Sequence, residues 1–199
     1  MPTAARKILH LDLDAFFCAV EEQRDPSLRG KAFAVGGCPD QRGVVSSCSY
    51  AARRFGIHSA MPMSQAVRLC PELVVVPSNF AAYRAASQQV MERLHRMTAL
   101  VEQISIDEAF LDVSALGEPG ERLAARLQTS IRDDLALSCS LGVAANKLVA
   151  KIATDVGKSL VRSGAMPNAI CVVPPGRFSC KVCQIAWSTK VYRVLIFPL

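Results

Sequence analysis

At 199 residues, half of them hydrophobic, the chain can bury the core of one ordinary domain with a modest insertion, which excludes a disordered polymer. No run approaches the roughly 18 apolar residues of a membrane span, no secretory pattern opens the chain, and the eight cysteines are scattered as reduced thiols, so a cytoplasmic protein is expected. The net charge of +6 suits an anionic partner such as nucleic acid, but Arg177, Lys181, Lys190 and Arg193 fall with no acid in residues 177–199, leaving the rest nearly neutral.

Residues 7–13 predict a buried strand. Alternation puts Ile8, His10, Asp12 and Asp14 on one face and Leu9, Leu11 and Leu13 on the other. Asp14 is expected to cap the helix that follows, AFFCAVEEQRD, which leaves Asp12 as the better metal ligand. His10 reads as a packed core histidine. Residues 31–35 predict a short strand, 36–43 a turn, and 44–45 a resumed strand leading into CSYAARRFG. There Tyr50 and Arg53 share a helix face, with Gly56 as the stop. A guanidinium beside a hydroxyl suits a triphosphate. Residues 64–70 predict a second short helix capped by Ser64, and 73–76 a buried strand.

A long helix is expected over 79–100, with an apolar seam of Phe80, Tyr83, Val90, Leu94, Met97 and Leu100. The stretch VEQISIDEAFLDVS, 101–114, then reads as strand, tight turn and strand, with Asp107 and Glu108 adjacent near the turn. Together with Asp12 it suggests a divalent-metal site assembled from sequence-distant pieces, the framework of two-metal phosphoryl transfer. Pro119 opens a helix with Leu123, Leu127, Ile131 and Leu135 facing inward. A strand over 139–143, a helix over 146–156 with Lys147 and Lys151 on one side, and a strand over 170–173 complete the chain. With residues 25–78 set aside, the order is βαββαβ. A ferredoxin-like α+β sheet covered on one face by two helices is expected, its acidic first strand beside the acidic hairpin.

The segments ILHLDLDAFFCAVEE, GVVSSCSYAARRFGI, ISIDEAFLDVS and SLGVAANKLVAKIATDVGK resemble, in order and spacing, the motifs of Y-family translesion DNA polymerases of the bacterial DNA polymerase IV type. The resemblance runs from about residue 8 to 175. It implies a palm over 1–16 and 78–176, a small inserted fingers subdomain over 17–77, and DNA-directed DNA polymerase chemistry of the error-prone translesion kind. By motif, Asp12, Asp107 and Glu108 match the catalytic carboxylates, which with the Leu13 carbonyl bind two Mg²⁺ ions. Phe17 matches the steric gate against a ribose 2′-hydroxyl, and Ser47, Tyr50, Arg53 and Lys158 match the nucleotide-binding positions. Primer-template DNA and dNTP are the implied partners, with no membrane. Full-length relatives bind a sliding clamp, for which no motif is found here.

The pattern breaks after Lys158, where Ser159-Leu160-Val161 replaces the family's Pro-Asn-Gly. Residues 177–199 resemble nothing in the family, and the expectation is a basic tail in place of thumb and little finger. Cys180 and Cys183 are half of a zinc site, with too few nearby partners to complete it. Such a chain is expected to bind nucleotide with Mg²⁺ and to extend primers poorly. An alternative is a weak or inactive fragment that binds nucleotide, DNA or a partner protein. A nucleotidyl cyclase on the same layout is opposed by Phe17 at the sugar position.

Overall fold

The computed structural model describes residues 6–162 and 170–173. Two compact units emerge, one formed by Met1–Leu13 with Gln89–Leu199, the other by Asp14–Gln88.

In the first unit a five-stranded sheet has the order β5-β6-β1-β7-β8. Its strands are β1 (Ile8–Leu13), β5 (Val101–Gln103), β6 (Glu108–Asp112), β7 (Cys139–Ala144) and β8 (Ile170–Val172). The first four are mutually antiparallel, in the order a βαββαβ chain produces, and β8 adds in parallel beside β7. The connecting helices are α4 (Phe80–Met97), α5 (Gly120–Leu135) and α6 (Lys147–Arg162). Leu123, Leu127 and Ile131 of α5 are buried as their spacing requires. A methyl group on Gly120 would reach Val143 Cγ1 at 2.7 Å and Leu9 Cδ1 at 4.0 Å, so α5 lies on the Leu9 face. Arg93 of α4 pairs with Asp134 of α5 at 3.4 Å.

The opposite face is covered as well. There α6 packs on Ile8, Phe110 and Ala144 through Val149 and Ala150. Its approach is made possible by Gly142, where a Cβ would stand 2.0 Å from the Ala150 carbonyl oxygen. With helices on both faces, β1 is buried on both, which explains why His10 is fully buried along with the leucines.

In the second unit β2 (Phe33–Gly36) lies between β3 (Val45–Cys48), antiparallel to it, and β4 (Val74–Val76), parallel to it. Around this sheet stand α1 (Phe16–Arg24), α2 (Tyr50–Arg53) and α3 (Met63–Leu69). Ser49 Oγ caps α2 by accepting from the Ala52 amide at 3.1 Å, and donates to the Lys31 carbonyl at 3.0 Å. Gly56, at φ 80°, takes the left-handed turn expected of a stop.

Several local expectations are corrected. Asp14 does not cap α1: the cap position is Ala15, at φ 45°, and no side chain bonds there. Ser64 lies inside α3, whose cap position is Pro62. The strand at 74–76 is only partly buried, with Val74 39% exposed at a sheet edge. The seam of α4 holds at Tyr83, Val90 and Leu94, but Phe80 and Leu100 are exposed, and Ser87 and Met91 are buried instead. The helix expected to end at 156 continues to Arg162. The zinc half-site and the basic tail lie outside the described residues. Among the described helices none is long and apolar enough to cross a membrane, and the six described cysteines form no disulfide among the described residues.

Candidate active site

Strand pairing brings the acidic residues of the first unit together. Asp12 stands directly opposite Glu108 in the β1–β6 register, so both side chains project from one face. One step further the Leu13 amide donates to the Asp107 carbonyl at 3.0 Å, which fixes the turn carrying Asp107 against the end of β1. Ser105 Oγ donates to Asp107 Oδ1 at 2.5 Å and restrains that carboxylate.

The face they share is the one α6 covers. Lys147, Lys151, Thr154 and Lys158 follow a spacing of four, three and four, one stripe along the helix. Lys147 pairs with Glu102, Lys151 with Glu108 Oε1, and Lys158 with Asp12 Oδ1. Thr154 Oγ1 meets His10 Nδ1 at 2.8 Å, and His10 Nε2 meets Glu108 Oε1 at 2.6 Å. With Nε2–H donating to the carboxylate, a neutral imidazole leaves Nδ1 as one of three acceptors around the single threonine hydroxyl proton, beside the His10 and Ala150 carbonyls at 3.0 and 3.1 Å. Burial holds the His10 pKa below its ordinary value against the pull of Glu108, in keeping with that neutral form. His10 is thus a packed core histidine, as expected, and also a support for Glu108.

Burial pushes the Asp12 carboxyl up to about 6, against the opposing pull of Lys158, with Asp107 and Glu108 adding repulsion. Burial acts in the same sense on Glu108, but hydrogen bonds from Lys151 and His10 outweigh it and hold the pKa below the usual carboxylate range. The donor set is all hard oxygen, the carboxylates of Asp12, Asp107 and Glu108, chemistry that fits Mg²⁺. As the side chains stand, ammonium groups hold Asp12 and Glu108. Among the described residues no three His, Cys, Asp or Glu side chains form a ready metal cage.

The remaining predicted residues lie in the second unit. Phe17 is half-buried, its ring stacked on Tyr83 at 4.3 Å between centroids and 17° between planes. Tyr83 is fully buried and donates from its hydroxyl to Glu21 Oε1 at 2.7 Å, while Arg24 holds the other oxygen of Glu21 at 2.8 Å. Tyr50 and Arg53 share a face of α2 as expected, the guanidinium carbon 5.9 Å from the ring centroid. Arg53 Nε is buried and, among the described residues, has no hydrogen-bond partner. Ser47 is buried beneath, its Oγ 3.4 Å from the Cys18 thiol, which burial pushes up to about 12.

Asp12, Asp107, Glu108 and Lys158 are therefore neighbours in one unit, while Phe17, Ser47, Tyr50 and Arg53 belong to the other. Sequence reasoning missed Lys151, Thr154 and Ser105 as partners of the acidic group. The four-three-four stripe on α6 was the available signal, visible once residues 146–158 are drawn as one helix.

Residues 11–155 match the model of the impB/mucB/samB (IMS) family. A DNA polymerase IV of Ralstonia nicotianae is 45% identical over 173 residues, covering 85% of this chain and 46% of the relative. Another, of Streptomyces coelicolor, is 48% identical over 177 residues, covering 86% and 35%. Among solved structures, an insertion ternary complex of Dbh DNA polymerase superposes with a TM-score of 0.76 at 31% identity, over 85% of this chain and 49% of that one. DinB from Sulfolobus solfataricus gives 0.74 at 28% identity, over 90% and 56%. The chain spans about half the length of the relatives it matches, or less.

Proposed function

The chain belongs to the impB/mucB/samB family, and from that premise we propose that it is the palm and fingers portion of a template-directed DNA polymerase of the low-fidelity translesion type. The palm would comprise 1–16 and 78–176, and the fingers 17–77. The observation that carries this reading is the register pair Asp12–Glu108 with Asp107 one residue away, three carboxylates where the strand ends of two sequence-distant segments meet.

Asp12, Asp107, Glu108 and the Leu13 carbonyl would hold Mg²⁺, two ions in this reading, which when bound neutralise and align the attacking and leaving oxygens of an in-line displacement. The protein's own contribution is positional. Ser105 restrains Asp107 and His10 restrains Glu108, holding both carboxylates in place. Lys158 in the first unit and, in the second, Tyr50 and Arg53 with the buried Ser47 would each serve as nucleotide-binding residues. The unpartnered buried Nε of Arg53 supports this, because a donor left without an acceptor is destabilising until an anion satisfies it. Phe17 would face the sugar and exclude a 2′-hydroxyl by its bulk. Its flat stacking on the pinned Tyr83 ring suits that role, since a steric barrier is only as selective as it is rigid.

Single-turnover incorporation tests the reading, with the chain in excess over a primed template at low salt. Addition of the templated nucleotide, dependent on Mg²⁺ and abolished in Asp107→Ala, is expected. Incorporation indifferent to template or to Asp107 would refute it.

A further inference from the structure

Two ammonium groups lie on the carboxylates proposed to bind metal, and their arrangement has a thermodynamic consequence. Lys158 holds Asp12 Oδ1 with side chains only 12% and 18% exposed; Lys151 holds Glu108 Oε1 with 44% and 16% exposed. Three carboxylates gathered at a strand end repel one another. Together the two lysines supply the same +2 charge as one divalent cation. They reach the site from one stripe of α6, whose seating on the sheet is fixed by Gly142 and by the Thr154–His10 contact. They are therefore held over the acidic group by the fold itself.

We propose that Lys158 and Lys151 are resident counter-ions of the ion-free site, and that metal must displace them to bind. The inference rests on the reading of Asp12, Asp107 and Glu108 as metal ligands, and adds a coupling to it. A cation approaching alone must break two charge-assisted pairs, so it binds weakly. A polyphosphate arriving with the cation offers the released ammonium groups new acceptors, so each ligand strengthens the other. By linkage the strengthening is reciprocal. The site stays partly neutralised until cation and polyphosphate are both present, so Asp12 and Glu108 do not face one another uncompensated. Lys158, the more buried of the two, is the stronger competitor; Lys151 shares Glu108 with His10 and is the weaker. Lys147 on the same stripe is the natural control, because its pair with Glu102 is exposed on both sides, at 47% and 54%.

The test is Mn²⁺ titration of the full chain without nucleotide, read as loss of the free-Mn²⁺ electron paramagnetic resonance signal. Circular dichroism confirms that each variant is folded. Lys158→Met is expected to bind Mn²⁺ about tenfold more tightly than the unsubstituted chain, the scale of one charge-assisted hydrogen bond. Lys151→Met should give a smaller gain, and Lys147→Met should leave the affinity unchanged. Unchanged or weaker Mn²⁺ binding in Lys158→Met overturns the proposal. So does an equal gain in Lys147→Met, which would reduce the effect to net charge. A separate variant, Asp107→Ala, distinguishes the premise from the inference. It should weaken Mn²⁺ binding; if it does not, the metal-site reading falls and the counter-ion role with it.

Discussion

Gly142→Ala is the sharpest structural perturbation available, because it acts on the seat of the helix that carries Lys151, Thr154 and Lys158. The added Cβ would stand 2.0 Å from the Ala150 carbonyl oxygen and 2.7 Å from both the amide nitrogen and Oγ1 of Thr154, whereas ordinary contact begins near 3.4 Å. The first obstacle is backbone, which no rotamer change relieves. Helix α6 must therefore back away from β7 by roughly 1 Å or more, loosening Val149, Ala150 and Ala153, all buried. Overpacking of this kind costs about 2–4 kcal/mol. For a protein of this size that lowers Tm by about 4–16 °C. Urea unfolding followed by circular dichroism measures it, with the Thr154–His10 contact expected to be disturbed. A stability change below about 0.5 kcal/mol would mean that α6 does not approach β7 so closely, and would refute the account of how the lysine stripe is placed.

Tyr83→Phe removes the donor to a Glu21 carboxylate that is 3% exposed, leaving Arg24 as its side-chain partner among the described residues, and should destabilise by about 1–3 kcal/mol in urea unfolding at neutral pH; an unchanged midpoint would contradict this. Phe17→Ala should let ribonucleotides compete, read as the ratio of rNTP to dNTP incorporated in single turnover, and an unchanged ratio would make Phe17 a core aromatic only. The Asp12 carboxyl, raised to about 6 in the fold chiefly by burial, favours the folded state when protonated. Its contribution is fully present below pH about 4, where the unfolded chain also protonates, and is lost as pH rises through about 6. Asp12→Asn should flatten that part of the stability–pH curve measured by urea unfolding, and a curve of unchanged slope would show that Asp12 is not buried as described.

The architecture was legible because periodicity survives in the strands and in the long helices. Alternation in ILHLDL and the apolar spacing of α5 each placed an element to within a residue or two. What failed were caps and edges. Asp14 has the chemistry of a helix cap, but the chain takes a left-handed turn at Ala15 and the helix starts a residue later, out of its reach. Phe80 and Leu100 fit an apolar seam by spacing, yet Phe80 is the first residue of α4 and Leu100 lies beyond its end at Met97, where burial depends on what packs there and not on period. The acidic residues of the site could be found one by one, since carboxylates ending apolar strands stand out. Their partners could not: Lys151 looks like an ordinary surface cation until the register of α6 over β1 is known, and Lys158 was expected at the nucleotide, not on Asp12.

A Mg²⁺-dependent nucleotide site at Asp12, Asp107 and Glu108, with Lys158 beside Asp12, is the centre of the proposed function. Isothermal titration of the chain with dATP, with and without Mg²⁺, addresses that claim most directly. Binding that requires Mg²⁺, and that is lost in Asp107→Ala, is the result predicted. Binding that is equally strong without Mg²⁺, or that survives Asp107→Ala, would contradict it.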